Sequence, residues 1–360
     1  NPGTLEVYGG SRGAAIGGSS FENGGNMTFN GGNIKAIAFN TGHVNNTTGA
    51  GIGGGHGSGG TQTTINGGNI YANGSYHGAG IGGGCTSGYG LDAFNSFTFS
   101  DTKMREDLNS YYEPNAGNIT INGGYIKAEG HEHCNAFGTG CYLSATMKDH
   151  RILITGGTLL PSSVADMYDI GGKDGDVIIT GGSVRVATPA KFQSKDGNAY
   201  GDMEKTQPVI MTTINLESFG LKEALVDDMS MEIAGVTREY GMPSYTDDQG
   251  KLYFWLPNNV VGKEIMVDLN MKDENGDDVK TEPFFVTEVS HGAILKQYVI
   301  FEIENDLENG LLKKRYDGLG YTAEQMNQVK AQIVGEGIDV TVPEGRKLTD
   351  LSTMQITSRS

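Results

Sequence analysis

Short segments of alternating apolar and polar residues recur through about the first 206 residues of the chain. A period of two is typical of a β-strand with one buried face. Two consecutive glycines follow each segment, and a second alternating segment follows the glycines. The first glycine of the pair is Gly9, Gly31, Gly67, Gly123, Gly156 or Gly181. A third, glycine-rich phrase then surrounds a single isoleucine, as at Ile52 and Ile81.

The fixed order of these three phrases predicts a parallel β-helix of about six coils over residues 1–206. The shortest steps between glycine pairs are 22 and 25 residues, which suits one coil. The longer steps contain inserted loops, the longest at residues 85–117. A β-sandwich is the alternative, but its hairpin turns would not keep three phrases in one order.

The same phrases predict how the coils pack. We expect the glycine pairs to turn corners with φ > 0, where a Cβ would clash. Ile52 and Ile81 should point inward and plug the coils. One continuous internal column should contain Ile65, Ile121, Ile154 and Ile179.

After about residue 207 the glycine phrases stop, and longer apolar runs alternate with turn residues. These runs predict a small antiparallel, sandwich-like β-domain over residues 207–302, with Trp255 in its core. Residues 303–360 contain one helix that Thr322 caps, and this segment completes the second domain or begins another module. The predicted fold class is therefore all-β, with a short α/β segment at the C-terminal end.

Composition narrows the possible partners. Glycine accounts for 57 of the 360 residues, but there are only 9 prolines and no G-X-Y period, which excludes collagen. The chain has 43 acidic and 26 basic residues, a formal net charge of −17. It lacks the basic stripe that nucleic-acid binding needs, so we expect no nucleic-acid partner. No apolar run approaches the roughly 18 residues that cross a bilayer, so we expect no membrane insertion.

The three cysteines, Cys85, Cys134 and Cys141, have no zinc-like or redox spacing. Cys141 stands where a degenerate third phrase should have its isoleucine, so we expect stacked buried thiols rather than a disulfide. Low cysteine content fits an exported surface protein that does not rely on disulfides. The chain begins within a repeat and has no signal peptide, so we expect it to be part of a longer protein.

The insertion at residues 85–117 is the predicted ligand-binding segment. It combines aromatic rings with carboxylates, which suits sugars, because apolar sugar faces stack on rings and hydroxyls hydrogen-bond to acids. The alternative is that the rings only pack the loop against the flank of the β-helix. The candidate residues are Tyr89, Asp92, Phe94, Tyr111 and Tyr112.

Two weaker patterns suggest metal ligands. His131 and His133 would point the same way on a strand, which suits zinc or copper. Asp174 and Asp176 would suit calcium at the edge of a coil. The alternative for these residues is an exposed, solvated loop. We expect no cofactor, with calcium as the one open possibility.

No residue pattern predicts catalysis. Three pairs of acids lie beside turn residues, which favours solvated turns over the two facing carboxylates of a glycoside hydrolase. These pairs are Asp227-Asp228, Asp247-Asp248 and Asp277-Asp278. A lyase would need a basic residue near calcium-binding carboxylates. Lys127, Arg151 and Arg185 lie on or near predicted strands, but without a diagnostic spacing.

Thr-Ile-Asn-Gly-Gly strands, as at 64–68, alternate with Gly-Ala-Gly-Ile-Gly-Gly-Gly turns, as at 78–84. This alternation resembles a family of glycine-rich, right-handed parallel β-helix proteins of bacterial cell surfaces, which are carbohydrate-binding or adhesin-like. The phrase at 250–257 is also similar to one that accompanies these repeats.

The resemblance implies a non-enzymatic, secreted, extracellular module for adhesion or glycan binding, attached to the cell surface through regions outside this sequence. Its partners would be glycans or host or cell-surface components. One alternative is a structural or accessory region of a larger surface enzyme. Another is a polysaccharide lyase or glycoside hydrolase that acts on acidic polysaccharide.

Overall fold

The structure, a computed structural model, shows two compact units. The first unit is Asn1–Val209 together with Gly241–Tyr245, and the second is Ile210–Tyr240 together with Thr246–Ser360. The residues that the structure describes are 3–10, 12–20, 22–38, 49–60, 62–85, 116–131, 134–140, 147–164, 166–216, 220–233, 236–241, 243–260, 263–272, 276, 278–280, 284–289, 297–306, 311–316, 338–341 and 355–358.

The first unit contains short strands that recur in groups of three. In chain order they are β1 (Thr4–Tyr8), β2 (Ile16–Gly17), β3 (Asn26–Phe29), β4 (Asn33–Ile37), β5 (Ile52–Gly53), β6 (Gln62–Ile65), β7 (Asn69–Asn73), β8 (Ile81–Gly82), β9 (Asn118–Ile121), β10 (Tyr125–Glu129), β11 (Phe137–Gly138), β12 (Arg151–Ile154), β13 (Thr158–Ser162), β14 (Ile170–Gly171), β15 (Asp176–Ile179), β16 (Ser183–Val184), β17 (Phe192–Gln193) and β18 (Ala199–Tyr200). A 3-10 turn, Pro189–Lys191, precedes β17.

Each group of three strands is one coil of a parallel β-helix. The first sheet has the order β1-β4-β7-β10-β13-β16, and the second has β2-β5-β8-β11-β14-β17. The third sheet begins β3-β6-β9-β12-β15-β18, and all of these strands pair in parallel. Six coils of three faces therefore stack on one another, and the predicted parallel β-helix is confirmed.

An uninterrupted column of isoleucines lies inside the third sheet. Ile65 pairs with Ile121, Ile121 with Ile154, and Ile154 with Ile179. The side chains of all four are fully buried. Burial of each contributes roughly 1.5–3 kcal/mol relative to an exposed side chain, so the column is a main source of stability, as the sequence predicts.

A second column runs inside the second sheet. Ile52 pairs with Ile81, and both are fully buried, as predicted for inward plugs. In the next coil Phe137 pairs with Ile81 and fills the same position. The prediction that Cys141 replaces the plug is therefore wrong, because an aromatic ring four residues earlier occupies the space inside the coil. Cys141 itself lies outside the described residues.

The corner after each third-sheet strand uses both glycines of the pair, in different ways. The positive φ falls on the second glycine, with values of 92° at Gly32 and 103° at Gly68. The first glycine can be required for a different reason, which is the lack of space beside the neighbouring coil. A Cβ at Gly123 would lie 2.7 Å from the Asn66 carbonyl oxygen. At Gly31, by contrast, a Cβ would meet nothing within 4 Å. The repeated pair therefore meets two requirements. The second glycine adopts the positive φ of the corner, and the first leaves room for the neighbouring coil where the two coils are crowded.

Gly9 belongs to a different corner from the one its phrase suggests. Strand β1 pairs with β4, so Glu6 stands beside Lys35, 29 residues along the chain. Gly9 follows the first-sheet strand of its coil, as Ala38 does in the next. Assigning Gly9 to the third-sheet corner was therefore wrong, and the step of 22 residues is not a coil. The phrase misleads because tight corners of both kinds favour glycine.

The segment Gly241–Tyr245, which we call the strap, closes the last corners of the β-helix. Gly182 N donates to the Gly241 carbonyl oxygen at 2.7 Å, and Gly157 N donates to that of Pro243 at 2.7 Å. The Thr158 hydroxyl donates to the Tyr245 carbonyl oxygen at 2.9 Å and accepts from Tyr245 N. Because of this cover, Thr158 is fully buried although it occupies an outward position on β13.

The second unit has longer strands around an aromatic core. The strands after the β-helix are β19 (Pro208–Asn215), β20 (Leu225–Val226), β21 (Ser230–Ile233), β22 (Val236–Glu239), β23 (Ser244–Tyr245, within the strap), β24 (Lys251–Pro257), β25 (Glu264–Lys272), β26 (Asp278–Lys280), β27 (Phe284–Val289), β28 (Gln297–Asp306), β29 (Leu311–Tyr316), β30 (Ile338–Thr341) and β31 (Gln355–Ser358), with a 3-10 turn at Asn258–Val260.

The main sheet of this unit has the order β22-β21-β25-β27-β28-β19. Its pairs are antiparallel except for β19 and β28, which run in parallel. Trp255 is buried as predicted, and its backbone N–H donates to the Tyr240 hydroxyl at 2.9 Å. The predicted helix that begins at Thr322 lies outside the described residues. In the described part of the chain, no helix has the length and hydrophobicity that a bilayer span requires.

Candidate functional site

The ligand-binding residues predicted in the insertion cannot be placed. Tyr89, Asp92, Phe94, Tyr111 and Tyr112 all lie outside the described residues, as does His133. The insertion leaves the β-helix after Cys85 and rejoins it just before β9. The prediction for this loop therefore stays a prediction.

Two of the four predicted metal ligands, His131 and Asp176, have other partners. His131 Nε2 lies 2.9 Å from Asn73 Oδ1, and Asp176 forms an ion pair of 2.9 Å with Lys205. Asp174 occupies a turn with φ of 63°. In the described part of the chain, no three histidine, cysteine, aspartate or glutamate side chains come together as a metal site would require.

The outward side of the first sheet carries a different concentration of polar and aromatic groups. One outward row consists of Glu6, Lys35, Tyr71 and Lys127, in β1, β4, β7 and β10. The next outward row consists of Tyr8, Ile37, Asn73 and Glu129. The positions between these rows point inward and are buried, as in Ile70 and Ala72 of β7. The period of two along each strand thus separates the core from this surface.

We call the candidate site the first-sheet platform. It consists of the outward side chains Tyr8, Tyr71, Asn73, Tyr125 and Glu129, with His131 just beyond β10. Its members come from three coils, so no single stretch of sequence contains it.

A hydrogen-bond network joins two adjacent coils at the centre of the platform. The Tyr71 hydroxyl donates to Glu129 Oε2 at 2.8 Å, and Asn73 Nδ2 donates to the same oxygen at 2.6 Å. Asn73 Nδ2 also lies 3.0 Å from the Tyr71 hydroxyl oxygen. Among the described residues both bonds to Glu129 reach Oε2, which leaves Oε1 to accept from a ligand.

The network also assigns donor and acceptor atoms at His131 and Tyr71. Because Asn73 Nδ2 donates to Glu129, its Oδ1 is an acceptor, and His131 must donate to it from Nε2. Burial, with a contribution from the hydrogen bond to Glu129, raises the pKa of the Tyr71 hydroxyl. Tyr71 therefore remains a neutral donor, and the four side chains hold one another in fixed orientations.

Aromatic rings and cations flank this network. Tyr8 is 61% exposed, and the Lys35 ammonium lies 5.8 Å from its ring centre. The Lys127 ammonium lies 5.2 Å from the centre of the Tyr125 ring, and the Tyr125 and Tyr245 rings meet in a T-shaped arrangement with their centres 5.6 Å apart. Hydrogen bonds from Lys35 and Tyr8 lower the pKa of Glu6, which is therefore an anion at neutral pH.

A ladder of side-chain hydrogen bonds follows the corner between the third and first sheets. Asn66 Nδ2 donates to Asn30 Oδ1, and Asn122 Nδ2 donates to Asn66 Oδ1, both at 2.8 Å. The Thr155 hydroxyl continues the series to Asn122 Oδ1 at 2.8 Å. This ladder accounts for the asparagine of the recurring Ile-Asn-Gly-Gly phrase, and its regularity indicates a role in stacking the coils.

The basic residues considered for a lyase do not converge. Lys127 belongs to β10 of the first sheet and Arg185 follows the end of β16, whereas Arg151 begins β12 in the third sheet. All three are exposed. Arg151 pairs in register with Asp176, whose carboxylate already contacts Lys205.

One of the paired acids is not a solvated turn residue. Asp247 is buried: its Oδ1 accepts from Gln249 N and Lys251 N, and its Oδ2 accepts from the Tyr253 hydroxyl at 2.8 Å. The prediction of a solvated turn is wrong here, because this buried carboxylate accepts hydrogen bonds from the backbone of its own turn. Its neighbour Asp248 is exposed, as are Asp227 and Asp228. Asp277 lies outside the described residues.

The cysteines also differ from the expectation. Cys85 is disulfide-bonded, so the prediction of a thiol there is wrong. Cys134 is a buried thiol, and burial raises its pKa well above the ordinary value. Cys85 stands four residues after Ile81, and Cys141 stands four residues after Phe137, with which Ile81 pairs. Equivalent positions in adjacent coils are about 4.8 Å apart, within reach of a disulfide.

Sequence reasoning did not find the first-sheet platform. The signal was present in the strands Asn-Ile-Tyr-Ala-Asn (β7) and Tyr-Ile-Lys-Ala-Glu (β10), whose outward positions combine rings, amide and carboxylate. Their neighbouring positions become visible only once the coils are aligned across insertions that separate Tyr71 from Glu129 by 58 residues. Comparison of the chain with protein-family models, curated proteins and solved structures finds no match.

Proposed function

We propose that this protein is a non-enzymatic, extracellular module that binds glycans through the first-sheet platform. The observation that carries the proposal is the outward-facing network of Tyr71, Asn73, Glu129 and His131, on a sheet face that also presents tyrosine rings. Sugars present hydroxyl groups around apolar ring faces. Carboxylate, amide and imidazole groups match the hydroxyls, and tyrosine rings match the faces.

The orientation of these groups before any ligand binds supports recognition. β7 and β10 are already held together by their backbone ladder and by the buried Ile70 and Ile126 between the sheets. The outward network adds fixed positions for its polar atoms, which lowers the entropy cost of binding. A rigid, flat surface with prearranged acceptors and donors suits a hydroxyl-rich ligand.

An extracellular location is supported by the disulfide at Cys85. Disulfides form and persist in oxidising compartments, whereas cytosolic thiols are kept reduced. The negative charge of the chain is compatible with glycans, because neutral sugars do not require a basic surface.

The test is a glycan array followed by titration calorimetry on the glycans that bind. Tyr71→Ala and Glu129→Gln should each weaken binding about tenfold or more, since a tenfold change corresponds to ~1.4 kcal/mol and each removes a central contact. Tyr71→Phe separates the role of the ring from that of the hydroxyl.

The matched control is Tyr200→Ala. Tyr200 also donates its hydroxyl to a carboxylate, that of Asp196, but it belongs to β18 in the third sheet. Its loss should leave glycan affinity unchanged. A silent array, or an affinity that Tyr71→Ala and Glu129→Gln do not alter, would refute the proposal.

A further inference from the structure

Two of the three cysteines meet in the interior of the β-helix. Cys85, which follows β8, and Cys134, which precedes β11, are both fully buried and pack together as one cluster. Cys85 is disulfide-bonded, whereas Cys134 is a reduced thiol. Since the chain has three cysteines, Cys141 is the partner that remains for Cys85. A buried thiol therefore lies against one end of a disulfide.

The segment that begins with Cys134 folds back on itself. The backbone N–H of Asn135 donates to the Thr139 carbonyl oxygen at 3.2 Å, and Asn135 Nδ2 donates to the Thr139 hydroxyl at 3.0 Å. These two bonds bring the ends of the segment together, and Cys141 follows it after one further residue, Gly140. The thiol and the partner of Cys85 therefore flank one closed turn.

Burial limits what the Cys134 thiol can react with. Its side chain is fully buried, so thiols and oxidants in solution do not reach it. The other member of its buried cluster is Cys85, which carries the disulfide. Burial also raises the pKa of Cys134 well above the ordinary value, which keeps the thiol protonated and slow to react. The disulfide is therefore the natural reaction partner of this thiol, and the reaction is slow in the folded state.

The same thiol is connected to the first-sheet platform. The backbone N–H of Cys134 donates to the His131 carbonyl oxygen at 3.0 Å, so the two residues share one turn. His131 Nε2 donates from this turn to Asn73 Oδ1 at 2.9 Å. Asn73 ends β7 and Cys85 follows β8, so both belong to the third coil, whereas the turn follows β10 in the fourth. The turn therefore contacts the neighbouring coil twice, through His131 and through Cys134.

We propose that Cys134 exchanges with the disulfide at Cys85 and thereby switches the first-sheet platform to a state of lower glycan affinity. The inference rests on the proposed glycan binding and adds its regulation. In the exchange the Cys134 thiol loses its proton, and its sulfur bonds to Cys85 Sγ. The bond between Cys85 and Cys141 breaks, and the Cys141 thiolate that leaves takes up a proton. One disulfide and one thiol are present before and after, so no oxidant or reductant is consumed.

The exchange displaces the turn that carries His131. Packed side-chain atoms are about 4 Å apart, whereas two bonded sulfurs are about 2 Å apart. Bond formation therefore draws Cys134 and Cys85 together by roughly 2 Å. The hydrogen bond from His131 to Asn73 spans 2.9 Å, and a displacement of that size breaks it. Asn73 then loses the donor that fixes its amide, and the network of the platform is no longer prearranged.

The first test follows the exchange in the wild-type protein. The protein is kept at a mildly alkaline pH, quenched with acid, unfolded and alkylated with N-ethylmaleimide, and peptide mapping locates the alkylated cysteine. The label should begin on Cys134 and move in part to Cys141 over hours, the ordinary time for disulfide rearrangement. Cys134→Ser is the control, because it has no thiol to exchange and should take up no label.

Two serine variants hold the two pairings apart. Cys134→Ser keeps the disulfide between Cys85 and Cys141. Cys141→Ser, refolded with oxidised and reduced glutathione, leaves Cys85 and Cys134 as the one possible pair, and we expect them to form a disulfide. Each variant replaces one sulfur by oxygen, and circular dichroism checks that both fold. If Cys141→Ser does not fold, the movement of the label in the wild type still decides whether exchange occurs.

The state of the platform is measured in two ways. With isotope-labelled histidine, the Nε2 resonance of His131 should differ between the two serine variants, because only Cys134→Ser retains the bond to Asn73. His131→Gln identifies this resonance by its loss. The glycan with the strongest wild-type signal on the array should bind Cys141→Ser several-fold more weakly than Cys134→Ser.

The outcomes separate this inference from the proposed function. If the label stays on Cys134 in the wild type, the inference is overturned, while glycan binding that depends on Tyr71 still supports the proposed function. If the two serine variants share one His131 resonance and one glycan affinity, the inference is again overturned alone. If no form of the protein binds a glycan, the proposed function fails and the switch fails with it.

Discussion

At the scale of single residues, a carbonyl oxygen one coil away leaves no room for a methyl group at Gly53. Gly53 has φ of +139°, and a Cβ there would lie 1.9 Å from the Gly82 carbonyl oxygen. Gly17, Gly82 and Gly138 repeat this arrangement in their own coils. The close approach of neighbouring coils in the second sheet therefore explains why the third phrase is rich in glycine.

We predict that Gly53→Ala lowers the free energy of unfolding by roughly 2–5 kcal/mol, because the strained φ and the displaced carbonyl both oppose it. Chemical denaturation followed by far-ultraviolet circular dichroism measures the change. The control is Gly31→Ala, where a Cβ meets nothing within 4 Å, and this change should cost less than about 1 kcal/mol. Equal effects of the two variants would contradict this account.

Asp247 shows why a residue type alone is an unreliable guide to exposure. An Asp-Asp pair before Gln-Gly has the composition of a solvated turn, and Asp248 is exposed accordingly. Asp247 instead satisfies two backbone N–H groups and the Tyr253 hydroxyl from a buried position. Only the position of Tyr253 on the following strand distinguishes the two acids, and the turn motif does not contain it.

At the scale of elements, the strands that repeat were predictable and the irregular ones were not. The column from Ile65 to Ile179 follows from a phrase that recurs almost unchanged. Phe137 was missed because it replaces isoleucine in a coil whose glycines are partly lost. Gly9 was misassigned because a Tyr-Gly-Gly corner of the first sheet resembles the Asn-Gly-Gly corner of the third.

The candidate site could not be predicted for a related reason. A platform on the outside of a β-helix is assembled across coils, so its members are neighbours only in register. Tyr71 and Glu129 are 58 residues apart, and the insertion before β9 supplies most of that separation. The alternation along each strand identifies the side chains that face outward. Because the loops between strands differ in length, the sequence does not show which outward side chains of different coils are neighbours.

The disulfide at Cys85 gives a prediction at the same scale. Under denaturing, non-reducing conditions the protein should show one titratable thiol per chain, that of Cys134. Reduction should raise the number to three, the full cysteine content. Peptide mapping with mass spectrometry should then identify Cys141 as the partner of Cys85. Three thiols before reduction would contradict the assignment.

At the scale of the whole molecule, the chain returns to the β-helix after leaving it. Tyr245, the last residue of the strap, lies 87 residues beyond Thr158, yet the strap supplies acceptors for the amides of Gly157 and Gly182. It belongs to the first unit even though the segments on both sides of it belong to the second. The division into units therefore does not follow a single cut in the sequence.

We predict that Thr158→Val loosens the strap. Valine has the same shape, but it leaves the Tyr245 N–H and carbonyl without their buried partner, at a cost of roughly 1–3 kcal/mol. Native-state hydrogen exchange should quicken at the amides of Gly157 and Gly182, whose acceptors are in the strap. Thr120→Val, on the outward side of β9, is the matched control and should leave both amides protected. Unaltered exchange in Thr158→Val would show that the hydroxyl does not anchor the strap.

The strap also constrains the order in which parts of the β-helix can fold during synthesis of the chain. A chain that emerges from the ribosome with its N-terminus first presents Gly157 and Gly182 long before Gly241 and Pro243, their acceptors. Coils can stack as they are synthesised, since each needs only its predecessor. The amides at the last corners must remain hydrated until residue 245 has been translated. Completion of the β-helix therefore waits for a segment that is made only after Ile210–Tyr240, the first segment of the second unit.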